Sequence, residues 1–388
     1  EPSPKLLVMD ALKEAGLVFS RADAFSTPRR LALVVDGLPT KTPDMKGERK
    51  GPKTDAPPQA LAGFKRSLPE GAAIVEQETP KGTFFFASWM EAGREAREVM
   101  AECLPNVLRD LPWPKSMRWA THDLRWVRPI ESLIALFDGA PVAFEFGAVT
   151  AGAETRGHRF LASDVFAVSD FANYQAKLMD AKVILDPVAR RELITTEAAK
   201  LVKAEGLTLK DDPDLLDEVT GLVEWPVVYM GSIDEAFMDI PSEALITSMK
   251  KHQRYFSCLD AGGNLANRFI VVANTETKDG GMEVVAGNER VLRARLSDAK
   301  FFWDNDRKTP LEHRVSTLKD RVFHAKLGSL AEKGTRMEAL AASLAQYVPG
   351  VDVNQASRVA RLAKADLSSG MVAEFANLQG VMGRYYAL

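Results

Sequence analysis

Between Ser248 and Phe256 the chain reads Ser-Met-Lys-Lys-His-Gln-Arg-Tyr-Phe. Lys250, Lys251 and Arg254 carry fixed positive charge, His252 titrates, and no carboxylate lies among them. Two aromatic rings, Tyr255 and Phe256, close the run. A second run, 287–303, sets Arg290, Arg293 and Lys300 on one helical face and ends in Phe301, Phe302 and Trp303. Cations beside aromatics suit a polyanion whose bases can stack, and RNA is the usual case. The same residues also suit amphipathic helices whose charged faces meet water, and composition alone favours that plainer reading.

Two smaller clusters repeat the theme. Lys115, Arg118, Arg125 and Arg128 interleave with Trp113, Trp119 and Trp126, and Arg156, His158 and Arg159 precede Phe160. Cation–aromatic pairs also occur in ordinary folds, so buried structural roles stay open for Arg156, His158 and Arg159. Lys250, Lys251 and Arg254 are the first expectation for phosphate contacts, with Ser242 as N-cap of the helix that carries them. Arg290, Arg293 and Lys300 come second, then Arg156 and Arg159.

Other chemistries find no foothold. None of the five histidines stands three or four residues from another, so no helical metal-ligand pair forms. The one His-Asp dipeptide, His122-Asp123, sits in an extended, Trp-flanked stretch; no metal site is expected. Cys103 and Cys258 have no evident activating partner and read as small buried hydrophobes. Gly-x-Ser-x-Gly, the phosphate-cradling Gly-x-x-x-x-Gly-Lys-Ser/Thr and the dinucleotide Gly-x-Gly-x-x-Gly are all missing from the sequence. No catalytic residue is assigned.

Elements must position these clusters. With 388 residues the chain is too long for one ordinary core, and two or three domains are expected. A net charge of −3 is no field for steering RNA, so binding would rest on local patches. Two cysteines and no apolar run near the length of a membrane span point to the cytoplasm and to no membrane. The chain starts without Met and stops without a helix-end signal, as a piece of a longer polypeptide does.

Apolar spacing predicts a helix then a strand over 1–40, and a loop over 37–58, where Gly, Pro and Lys accumulate. A strand over 82–90 and a helix over 92–110 follow. Pro112 and Pro114 impose an extended segment. Strands are expected at Val142–Phe146, Val183–Leu185, Pro226–Met230 and Arg268–Ala273, with helices over 170–180 and 188–205. Asp260-Ala261-Gly262-Gly263-Asn264 reads as a hairpin turn. From 286 onward helix dominates, with Leu292, Leu296, Ala299 and Trp303 forming one apolar stripe.

Several strings occur in order: Thr27–Leu31, Pro112–Trp119, Val127–Ile130, Thr155–Phe160, Leu245–Gln253, Val272–Thr275, Gly287–Phe302, Lys326–Ser329, Lys364–Leu367 and Leu378–Tyr386. With them the chain closely resembles the β subunit of the bacterial heterotetrameric glycyl-tRNA synthetase, as its N-terminal half. The resemblance implies an α+β multidomain fold: a mixed α/β region over 1–150, and a central α/β domain over 151–285 like the editing domain of the phenylalanyl-tRNA synthetase β chain. A helical, degenerate and incomplete HD-like domain would follow over 286–388. The expected function is a tRNA-binding and scaffolding subunit, partnered by the α subunit in an α2β2 assembly and by tRNA(Gly). ATP and Mg would be used by the α subunit, with no cofactor in this chain. A working HD site needs His-Asp on one helix, and the matching position reads Lys364-Ala365-Asp366. Two alternatives stay open: a hydrolase (deacylase or HD-type), and a purely structural α-binding module.

Overall fold

A computed structural model describes residues 4–121 and 123–388. The chain divides into two compact units, 1–185 and 186–388. Both mix helices with small sheets, so the α+β expectation holds.

The first unit runs α1 (Pro4–Glu14), β1 (Arg21–Ser26), β2 (Leu31–Asp36), β3 (Met45–Lys53), α2 (Pro58–Arg66), β4 (Ala73–Thr79), β5 (Gly82–Glu91) and α3 (Ala96–Arg109). Short strands follow: β6 (Leu133–Ile134), β7 (Leu136–Phe137), β8 (Ala140–Pro141), β9 (Glu145–Phe146), β10 (Val149–Gly152), β11 (Glu154–Arg156) and β12 (Val165–Ala167). Helix α4 (Phe171–Asp180) comes last, capped by the Asp170 carboxylate, which accepts from the Asn173 amide. One core gathers Leu12, Leu17, Val99, Met100, Val142 and Phe146.

The segment expected to be a loop over 37–58 is in large part a strand. Residues of β3 pair antiparallel with β5, Lys46 opposite Met90 and Lys50 opposite Phe86. Strand β5 supplies the apolar partner that β3 lacks in its own sequence, and that cross-strand support overrides local composition. Strand β4 pairs on the other side of β5, giving the order β3-β5-β4. Two expected strands fail. Val183–Leu185 is irregular and buried, packed with Leu178 under α4. Val142–Phe146 is broken into fragments. Both were apolar runs too short to tell a strand from a buried connector.

The second unit runs α5 (Pro187–Ala204), β13 (Thr208–Leu209), α6 (Pro213–Thr220), β14 (Val227–Ser232), α7 (Ser242–Ser248), β15 (Phe256–Leu259), β16 (Leu265–Ala273) and α8 (Met282–Asp306). Then come α9 (Leu311–Arg314), the hairpin of β17 (Val322–His324) with β18 (Gly328–Ser329), α10 (Leu330–Ala345), α11 (Val353–Leu362), α12 (Gly370–Glu374) and α13 (Val381–Ala387). Strands β13-β15-β16-β14 form one antiparallel sheet. The turn at 260–264 is as expected: the Asp260 carboxylate accepts from the Gly262 and Asn264 amides.

Period-two alternation divides this sheet's faces. Ile270, Phe256 and Cys258 pack with Ile194, Ala198 and Leu215 of α5 and α6. Phe269 and Val271 face the other way, into a core with Leu245 of α7 and Leu292, Leu296, Ala299 and Trp303 of α8. The predicted α8 stripe is therefore buried throughout, each large apolar side chain contributing about 1.5–3 kcal/mol.

Candidate nucleic-acid interface

Helix α7 does not start on a Ser242 cap. Pro241 takes the cap position with no side-chain hydrogen bond, and the Ser242 hydroxyl donates to Glu243 (3.2 Å). The helix then widens into a π-helical turn over Met249–Gln253. It stops at Arg254, whose backbone is left-handed (φ 58°, ψ 37°). A non-glycine residue held there costs on the order of 1 kcal/mol, and π turns and such strain recur at functional sites. Met249 is fully buried and anchors the turn.

That turn brings Lys250, Lys251 and Arg254 together, and the tertiary structure then supplies what their sequence neighbourhood lacks. Lys250 Nζ lies 2.8 Å from the Asp212 carboxylate, and Arg254 Nε 2.8 Å from Glu218. Glu218 lies on α6, and Asp212 precedes that helix as its N-cap, accepting from the Leu215 amide. Burial would raise the Asp212 carboxyl. The bonds from Lys250 and the Leu215 amide outweigh it and hold the group below the ordinary aspartate value. Lys251 differs: its ammonium donates to the Asn377 side-chain oxygen (3.0 Å), a neutral partner, and its residue is exposed. Among the described residues, the Lys251 charge on this turn therefore has no carboxylate partner. His252 stacks toward Phe375 (centroids 6.0 Å), and its buried Nδ1 meets no hydrogen-bond partner among the described residues.

The second cluster lies on one face of α8, beside the buried stripe. Arg293 pairs with Asp234 (3.7 Å). Lys300 reaches Asp239 (3.4 Å) and Asp304 (2.6 Å), and its hydrogen bond to Asp304 keeps its ammonium above the ordinary lysine value. Arg290 is exposed, and among the described residues its guanidinium makes no ion pair or hydrogen bond.

In the first unit, Arg156 is exposed and donates to the Ser163 carbonyl (3.3 Å), while Arg159 lies over the Phe160 ring (5.5 Å). His158 between them is fully buried. Its Nδ1 accepts from the Phe160 and Leu161 amides, which puts the proton on Nε2. Arg30 donates to the Arg156 and Gly157 carbonyls (2.6 and 2.9 Å), so two strings distant in sequence, Thr27–Leu31 and Thr155–Phe160, meet. Trp113 and Trp126 pack edge to face (5.0 Å) and Trp126 likewise on Phe146 (5.5 Å). This tryptophan cluster is tied into the core rather than offered as a stacking platform. His122 lies outside the described residues.

Two buried carboxylates take structural roles that sequence reasoning did not give them: Asp306, which it passed over, and Asp366, which it placed only at the position matching an HD site. Asp306 ends α8 and is 6% exposed. It accepts from the Gly370 and Met371 amides (2.9 Å each), the Tyr386 hydroxyl (2.9 Å) and Arg314 (3.2 Å). Burial first, then the Asp306 charge, pushes the Tyr386 phenol well up. Asp366 is 1% exposed and accepts from the Gly380 and Gly383 amides at the start of α13. Its Oδ2 accepts both and serves a helix terminus. Nothing local in sequence marks either role, because every partner of Asp306 but Arg314 lies more than sixty residues away.

Burial pushes the Cys258 thiol up to about 12, and also raises Cys103. Among the described residues no group of three His, Cys, Asp or Glu side chains could hold a metal ion. No described helix is long and apolar enough to cross a membrane.

Fold and clusters define an α+β chain of two compact units, with cationic residues on the α7 turn and on one face of α8. Residues 4–388 match the family described as glycyl-tRNA synthetase beta subunit, and the chain belongs to that family. It is 50% identical to the glycine–tRNA ligase beta subunit of Rhodospirillum centenum, over 98% of this chain and 57% of that protein. The subunit of the same name from Paracoccus denitrificans is 49% identical over 99% of this chain and 57% of its own length. That of Phenylobacterium zucineum is 47% identical, over 98% and 57%. The chain thus spans a little over half the length of these curated relatives.

Proposed function

We propose that this chain is the tRNA-binding and scaffolding part of a glycine–tRNA ligase β subunit, acting in the cytoplasm. Its companion is the α subunit in an α2β2 assembly, and ATP, Mg and glycine are handled there. The observation that carries this reading is similarity over 98% of the chain, at 50% identity, to a protein named glycine–tRNA ligase beta subunit. The strained turn at Lys250–Arg254 and Arg290 on α8, exposed and unpaired among the described residues, supply the cations such a role needs. The deacylase, phosphohydrolase and purely structural readings gain no support from those relatives.

In this reading residues 1–150 form a mixed N-terminal domain and 151–285 an α/β domain like the editing domain of the phenylalanyl-tRNA synthetase β chain. Residues 286–388 begin an HD-like helical domain whose Asp366 has become a helix cap. Lys251 and Arg290 are the leading phosphate contacts. Lys250, Arg254, Arg293, Lys300, Arg156 and Arg159 shape the surrounding field.

The test mixes the chain with the α subunit, tRNA(Gly), Mg-ATP and labelled glycine and follows glycyl-tRNA. A parallel gel shift measures tRNA binding by the chain alone. Complementation of α with a tRNA shift is the expected result. Glycine-dependent ATP–pyrophosphate exchange by the isolated chain would overturn the division of labour, and no shift at any salt would overturn the binding role.

A further inference from the structure

The β3-β5-β4 sheet has two unlike faces. Cross-strand partners share a face. Arg49, Gly51 and Trp89 lie on the side that meets α2. There a Cβ on Gly51 would strike the Phe64 ring at 2.5 Å, and Arg49 donates to Ser67 (3.3 Å). The opposite face carries Phe84 and Phe86 of β5, two residues or about 7 Å apart along the strand. Beside them, Lys50 stands opposite Phe86 and Lys53 opposite Phe84, with Lys46 farther along opposite Met90. Strand β4 adds Val75 and Gln77, while its Glu76 and Glu78 fall on the α2 side.

This second face is partly open. Met90 is 63% and Val75 55% exposed, all three lysines are exposed, and Phe84 and Phe86 are half-buried and belong to no buried core cluster. Lys46 pairs with Glu48, but Lys50 and Lys53 make no ion pair among the described residues. Their ammonium groups instead sit over the Phe84 ring, at 3.5 and 5.8 Å, and Lys50 lies 5.9 Å from the Phe86 ring. A half-exposed aromatic strand in the middle of a small sheet leaves room for an occupant. Charge complementarity makes that occupant an anion, and the paired rings make it one with flat aromatic groups. Unpaired RNA has both, and open sheet faces with aromatic side chains bind it by stacking bases.

We propose that this face binds an unpaired RNA segment, with Phe84 and Phe86 stacking bases and Lys50 and Lys53 neutralising the adjoining phosphates. A lysine's flexible four-carbon stem lets its ammonium leave the ring as a base takes its place. The inference rests on the tRNA-binding reading and adds a site to it.

The test measures anisotropy of a short labelled single-stranded RNA and of the matching duplex, titrated with the whole chain, beside a tRNA(Gly) gel shift. Phe84→Leu/Phe86→Leu is expected to weaken single-strand binding at least about fivefold and to spare the duplex. Lys50→Ala/Lys53→Ala, at exposed positions that do not threaten folding, is expected to lower the salt slope by about 1.4. Lys65→Ala, on α2 at the other face, leaves both unchanged. If wild type binds tRNA and neither double variant alters single-strand binding, this site falls and the wider reading stands. If the chain binds the single strand through this face but not tRNA(Gly), the wider reading falls and the site stands. If neither RNA binds, both fall. Retained RNA affinity with lost co-elution of the α subunit overturns the proposal and gives the face to protein.

Discussion

Removing Lys251 should change the salt dependence of tRNA binding more than removing either of its charged neighbours. Sequence alone treats Lys250, Lys251 and Arg254 as equivalent, each releasing about one counter-ion from RNA. The structure separates them. Lys250 and Arg254 already face Asp212 and Glu218 at 2.8 Å, whereas Lys251 faces a neutral amide. A neutralised pair releases few counter-ions, because its own carboxylate competes with phosphate. Lys251→Ala should therefore lower the slope of log K against log salt by about 0.9. Over a fourfold rise in salt, wild type should lose about 3.5 times more affinity than this variant does. The controls remove whole pairs: Lys250→Ala with Asp212→Asn, and Arg254→Ala with Glu218→Gln. Asparagine preserves the α6 cap, so the first control leaves that helix intact. Filter binding of tRNA(Gly) across salt concentrations reads the slopes. An unchanged slope for Lys251→Ala removes it from the interface. A drop of about one in either paired control means that the pairs open to phosphate, and the argument from neutralisation fails.

Other expectations follow from the same geometry. Asp306→Ala leaves Arg314 buried without its partner and two amides unsatisfied, and should cost about 3–5 kcal/mol in urea unfolding. Asp306→Asn should cost less. Asp212 is held below its ordinary value, 3.8, so its contribution to stability is fully present above that pH and fades as pH falls below it. Acid titration of Asp212→Asn should show a shallower loss of stability than wild type in that window. Gly281 has φ 94°, and a Cβ there would lie 2.1 Å from the Tyr229 ring. Gly281→Ala should lower stability by about 1–3 kcal/mol by thermal melting. Cys258 should resist alkylation at neutral pH until the chain unfolds, since its thiol is fully buried and shifted up to about 12. Fast labelling of native protein would contradict its placement.

The longer helices, the two main strands of the second unit and the α8 stripe were legible in the sequence because each carries its own periodic signal. The motif strings that mark the family were legible too, as they are strings. The strand character of 45–53 was not, since its support comes from β5 across the sheet and its own residues are Lys, Gly, Glu, Arg and Pro. Nor were the counter-ions of the Lys250 turn, which arrive from α6, 38 residues earlier at Lys250 and 36 at Arg254. Asp306 looks like a surface acid, and Asp366 like the remnant of an HD pair, until backbone amides of other elements close on them. Charge type and spacing belong to the chain itself, whereas which charges stay free depends on what folding brings within a few ångströms. Electrostatic pairing falls off with distance in space and takes no account of separation along the chain.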